Sequence, residues 1–124
     1  MKSLLAFLKI IVLMAVVAGA YYAYDQVQQQ RGRIEVENAA TQKFNDGEYV
    51  EAAEAYERLL EQIEGEDRER VKNKLVACYI TLSRNPELSL EEQAEYAHKA
   101  LKHDPDAEVN KTMKRYIREI LKLQ

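Results

Sequence analysis

Residues that could do chemistry are few in this chain of 124 residues, and their spacing works against each obvious use. The only two histidines, His98 and His103, stand five apart and so fall on different faces of a helix. A helical zinc pair needs a spacing of four. Cys78 is the single cysteine, which excludes an intrachain disulfide and a cysteine metal cluster. It lies in the apolar stretch VACYI with no nucleophile motif beside it, and reads as a small core residue. Glu48, Glu51, Glu54, Glu57, Glu61 and Glu64 resemble a carboxylate cluster until their three- and four-residue steps are drawn on a helix. There they form the solvated outer face of one element. No glycine-rich phosphate loop is present, and Asn110-Lys111-Thr112 is a glycosylation sequon that has meaning only in a eukaryotic secretory setting. With no convergent acid, base or nucleophile, the expectation is a protein that is not an enzyme, without metal, cofactor or small-molecule substrate.

Charge narrows the partners. The net formal charge is −3, and all 21 acidic residues lie from Asp25 onward, together with 16 of the 18 basic ones. That balance argues against nucleic acid, which calls for a clustered basic surface.

The elements that must position these residues are helical. Residues 34–124 show apolar positions at steps of three and four, and no alternating run of β-rich residues competes. Val36, Ala39, Ala40 and Phe44 form one face; Tyr49, Ala52, Ala53, Tyr56, Leu59, Leu60 and Ile63 form the next. Asn45-Asp46-Gly47 separates them with turn chemistry. Gly65 is expected to stop the second helix and Asp67 to cap the third, which carries Val71, Leu75, Val76, Tyr79, Ile80 and Leu82. Pro86 ends that helix. Ser89 with Glu92 is a capping-box signature for a fourth, built on Ala94, Ala97, Ala100 and Leu101. Asp104-Pro105-Asp106 closes it. A fifth is expected from about Ala107, with Val109, Met113, Tyr116, Ile117, Ile120 and Leu121 as its apolar face.

The N-terminal segment is of another kind. Leu4 to Tyr24 is apolar except for Lys9. As a helix it is about 31 Å long, close to the hydrocarbon thickness of a bilayer. Lys9 is shallow enough to snorkel to the starting side. Ala18-Gly19-Ala20 has the small-x-small form of a signal-peptidase site, but Tyr21, Tyr22 and Tyr24 extend the run beyond it in the manner of an interfacial aromatic belt. A retained single-pass anchor over residues 1–24 is the favoured reading, and cleavage after Ala20 the rival. Ala15, Gly19 and Ala23 recur every four residues and make one small-residue face for close packing against a second membrane helix. Lys2, Lys9 and the terminal amine lean the orientation toward a cytoplasmic N-terminus, with the domain on the outer face. Residues 25–33, DQVQQQRGR, read as a short polar stalk loosened at Gly32.

Two stretches carry a resemblance. GEYVEAAEAYERLLE, from Gly47 to Glu61, and EEQAEYAHKALKHDPD, from Glu91 to Asp106, resemble the second half of a tetratricopeptide repeat, with its glycine turn, Ala-rich helix and closing proline. The matching Leu60 and Leu101 are 41 residues apart, against about 34 in the family. The first helix has Ala39 and Ala40 where the family has a large aromatic and a glycine. The resemblance implies an all-α array of two hairpins, 34–64 and 67–106, with 107–124 as a solvating cap helix; a plain five-helix bundle is the alternative. It also implies a peptide-holding groove, which carry-over places at Glu37, Thr41, Phe44 and Asn45 from one repeat and Arg70, Asn73, Ala77 and Ile80 from the other. The lysine and asparagine set that clamps a C-terminal carboxylate is missing, and Glu37 would repel such a group. On the last helix Lys111, Lys114, Arg115, Arg118 and Lys122 make a basic stripe suited to anionic lipid or an acidic partner.

Together these features imply a membrane-anchored adaptor, an accessory or assembly subunit of a larger integral membrane complex. The alternative they leave is a free-standing receptor or chaperone that captures client segments in the groove.

Overall fold

In the computed structural model, residues 2–120 are described, and they form five helices and no strand: α1 (Lys2–Asn45), α2 (Tyr49–Leu60), α3 (Gly65–Ser83), α4 (Leu90–His103) and α5 (Lys111–Ile120). The chain divides into two units, one ending at Glu35 and the other beginning at Val36.

The first unit is a single stretch of α1. Every side chain from Lys2 to Tyr24 is exposed, so the apolar run there is unburied within the chain. The helix does not break at the expected stalk; residues 25–33 continue it. Gln28, Gln29, Gln30, Arg31 and Arg33 are good helix formers, and Gln29 Nε2 donates to Asp25 Oδ2 one turn back at 3.2 Å. Against these, Gly32 costs only about 1 kcal/mol relative to alanine.

In the second unit the last turns of α1 turn a different face inward from the one the apolar spacing suggested. Glu37 and Ala40 are buried and Thr41 and Phe44 half-buried, while Val36 and Ala39 are exposed. The inner stripe is thus 37-40-41-44, rotated by about one residue (roughly 100°) from the apolar set. A charged side chain takes an interior position because its partners, on α3, meet it there.

Past Asn45 the chain reverses at Gly47, whose φ of 82° is the left-handed conformation expected of that turn. Helix α2 buries Ala52, Ala53, Ala55, Tyr56, Leu59 and Leu60. It ends at Leu60, before Gly65, and Arg68 reaches back to hydrogen-bond the Leu60 carbonyl. Gly65, with φ of 65°, opens α3 instead of closing α2. Asp67 is therefore inside the first turn of α3, where it accepts from Arg70 Nη1 at 2.7 Å, and it is not the cap. Helix α3 buries Val71, Leu75, Val76, Cys78, Tyr79 and Leu82, and stops at Ser83 ahead of Pro86.

Ser89 caps α4 as its sequence signature indicates: its hydroxyl accepts from Glu92 N at 3.1 Å and donates to Glu92 Oε1 at 3.0 Å. Ala94, Ala97 and Ala100 are wholly buried. Helix α5 begins at Lys111, later than the apolar pattern suggests, because Asn110 caps it by accepting from Met113 N at 2.7 Å. Ile117 is buried, with Met113, Tyr116 and Val109 packed beside it against α4. Leu121, and the side chain of Ile120, lie outside the described residues. Within this unit α2 packs on α3, α3 on α4 and α4 on α5. No buried side-chain polar atom among the described residues lacks a partner.

Candidate functional site

The residues assigned to a groove divide into those the fold brings together and those it does not. Glu37, Thr41, Phe44 and Asn45 share one end of α1, and Arg70 faces them from α3. Arg70 grips Glu37 with two parallel bonds, Nε to Oε1 and Nη2 to Oε2, both 2.9 Å. Lys74 Nζ adds a third contact to Oε1 at 3.0 Å. Thr41 Oγ1 lies 2.7 Å from the Tyr56 hydroxyl and donates to the Glu37 carbonyl. Beside this clasp is a cleft of about 240 Å³ lined by Thr41, Phe44, Asn45, Tyr56 and Lys74. Phe44 meets Tyr49 edge-on, ring centroids 5.0 Å apart.

The other assigned positions lie elsewhere. Asn73 and Ala77 are exposed on α3 and take no part in lining the cleft, and Ile80 is half-buried against the core. Lys74 and Tyr56 are the lining residues that the family alignment does not name. Lys74 was within reach of sequence reasoning, since it follows Arg70 by four and so shares its face. Tyr56 belongs in the sequence to the apolar face of the second helix.

Electrostatics fixes what Glu37 can do. The Arg70 guanidinium, helped by Lys74 and opposed by burial, holds its carboxyl down at about 2. The same pairing pushes Arg70 further above its ordinary range. Glu37 is therefore ionised with both oxygens engaged, and it does not present the free negative charge expected to repel a carboxylate. It works as a structural anion that pins α1 to α3 and leaves the half-exposed Lys74 facing the cleft.

A second polar cluster joins α2, α3 and α4. The Tyr79 hydroxyl donates to Glu57, whose Oε1 is 3.8 Å from His103 Nε2. Tyr79 stacks on both Tyr96 and His103, and Lys99 Nζ lies 5.7 and 5.5 Å from the centroids of Tyr79 and Tyr96. Burial, then the neighbouring Glu57 carboxylate, push the Tyr79 phenol up. Cys78 is completely buried, and that burial raises its thiol to about 11. Such a thiol is a core group and a poor nucleophile at neutral pH. Among the described residues no group of three His, Cys, Asp or Glu side chains is placed to hold a metal ion.

Ala15, Gly19 and Ala23 are all exposed, and a Cβ placed on Gly19 would meet nothing within 4 Å, so this face is open to a neighbour. Of the basic stripe, Lys111, Arg115 and Arg118 are exposed and Lys114 half-buried; Lys122 lies outside the described residues. No family model, curated protein or solved structure matches the chain.

Proposed function

We propose that this protein is a membrane-anchored, non-enzymatic adaptor of tetratricopeptide-like type, serving as an accessory or assembly subunit of a larger integral membrane complex. The observation that carries this reading is the N-terminal part of α1: an apolar helix long enough to cross a bilayer, with none of its apolar window covered by the rest of the chain. A bilayer supplies the cover that the chain does not. In this reading the helix crosses once, with the N-terminus cytoplasmic and the helical domain on the outer face. Its Ala15/Gly19/Ala23 face takes a membrane helix of the complex, and the domain makes a second contact. Tethering raises the effective concentration for that second contact once the first is made.

The test begins with alkaline carbonate extraction, in which the full chain stays with the membrane. C-terminally tagged protein, extracted in mild detergent, then carries a few proteins at fixed ratio through size exclusion. Gly19→Ile, which fills the small-residue face, strips those proteins away. Release of the intact chain by carbonate, or a chain lacking residues 1–20 by mass, overturns the anchored reading.

The cleft by Lys74 favours a second reading, capture of client segments by a membrane-tethered receptor. Asn45→Trp fills that cleft without touching the Glu37 clasp. Loss of partners in Asn45→Trp with retention in Gly19→Ile would establish this second reading.

A further inference from the structure

The basic face of α5 is left unexplained by the adaptor reading and by the packing of the fold. Lys111, Lys114, Arg115 and Arg118 follow steps of three, one and three, which puts them along one side of the helix. None of their side chains makes an ion pair or hydrogen bond among the described residues, whereas those of Arg70, Lys72 and Lys74 on α3 all do. Helix stability does not account for them. The first turn of α5 holds Lys111 and Lys114 and no acidic residue, so cations sit where the helix dipole disfavours them. The charge is also segregated: residues 36–110 hold eighteen Asp and Glu against nine Lys and Arg, while residues 111–120 hold four cations and only Glu119. The apolar side of α5, Met113, Tyr116 and Ile117, is already committed to α4, so among the described side chains this helix has no free apolar face to insert. What remains is a purely electrostatic surface.

We propose that this face of α5 binds the anionic lipid headgroups of the membrane in which the chain is anchored. The proposal rests on the anchored reading. Twelve residue steps separate Tyr24 from Val36, the first residue of the second unit, which even fully extended bound their separation at about 40 Å. Anchoring through α1 raises the local concentration of this face near any bilayer that α1 crosses. An anionic surface acts on all the exposed cations at once, whereas isolated exposed pairs with a soluble acidic protein gain little.

The chain contains no tryptophan, so Thr112→Trp, an exposed position next to Lys111 at the edge of the basic face, gives a single fluorophore beside it. The full-length Thr112→Trp protein is placed in nanodiscs carrying nitroxide-headgroup lipid, in phosphatidylcholine alone or with about one-third phosphatidylglycerol. We expect quenching in the phosphatidylglycerol discs at low salt, and its loss toward about 0.5 M salt as the Debye length shortens. Adding Lys111→Glu, Arg115→Glu and Arg118→Glu together abolishes it, with circular dichroism unchanged because these side chains have no partners to lose. Arg115→Lys with Arg118→Lys keeps it. Removing one charge, as in Arg115→Gln, weakens the bound state roughly fivefold. Equal quenching in both discs, or none in either with the chain retained on the discs in 1 M salt, overturns the lipid proposal alone. Salt-dependent self-association without quenching does so too, and reassigns the face to the acidic surface of a second copy. Release of the whole chain from the discs by 1 M salt overturns the anchored reading and this proposal with it.

Discussion

Helix α3 holds its neighbours by two different kinds of contact. Toward α4 the two backbones lie close together, with Ala100 wholly buried in the shared core and Tyr79 stacked on Tyr96. Toward α1 the backbones stay farther apart, and the gap is crossed by Glu37, Arg70 and Lys74. At Ala100 the first seam is held by excluded water and dispersion, which involve no charge. The second depends on an ionised carboxylate that is buried while its two cations are half-exposed. A seam built this way gains strength from geometry and loses it whenever either charge is cancelled.

Overfilling the close seam produces the largest effect. Ala100→Leu forces α3 and α4 apart, and we expect a loss of about 3 kcal/mol in urea unfolding of the full chain in detergent. A loss below about 1 kcal/mol would mean that Ala100 is not what sets the spacing. At the polar seam, Glu37→Ala leaves Arg70 and Lys74 facing each other without their anion, and we expect about 2 kcal/mol, less than a fully buried pair because both cations regain water. Acid sharpens the contrast. Because the folded-state pKa of Glu37 lies below its ordinary value of 4.5, its contribution is complete above that value. It is lost as pH falls from about 4.5 toward about 2. The difference in stability between wild type and Glu37→Gln therefore narrows across this window, whereas Ala100→Leu keeps the same deficit throughout.

Arg70→Lys retains the charge but loses the two-pronged grip, and a loss smaller than that of Glu37→Ala follows. The smallest change is Tyr79→Phe. It removes a hydrogen bond to Glu57, a half-exposed carboxylate that water can resolvate, so a loss under about 1 kcal/mol is expected.

The same two seams mark what was readable in the sequence. Several local stops and starts were legible: Gly47 in its left-handed turn, Ser89 with Glu92, and the proline after α3; Gly65 and Asp67 were not, since Gly65 opens α3. The buried alanines of α4 were legible too, because Ala94, Ala97 and Ala100 keep helical spacing and carry no competing signal. The inward rotation of α1 was not. It places Glu37 inside at the expense of Val36 and Ala39, a choice decided by cations 33 and 37 positions away that no local pattern reports. Gly32 misled in the opposite way, since its weak local preference was outvoted by the glutamines and arginines around it. Of the residues assigned to a groove, Thr41, Phe44 and Asn45 line the cleft, and Glu37 and Arg70 form the clasp beside it. Asn73 and Ala77 do neither, because an alignment to a repeat fixes spacing along the helix but not which residues its neighbour leaves uncovered.

Cys78 gives the molecule its own reporter. As the single thiol, completely buried, with an ionisation near 11, it reacts with an alkylating reagent only when the helices around it part. Its labelling rate therefore counts opening events directly, without a probe being added. Slow reagent reads the equilibrium between closed and open forms, and fast reagent reads the rate of opening itself. The same residue that offers no chemistry in the folded state thus clocks how often that state is abandoned.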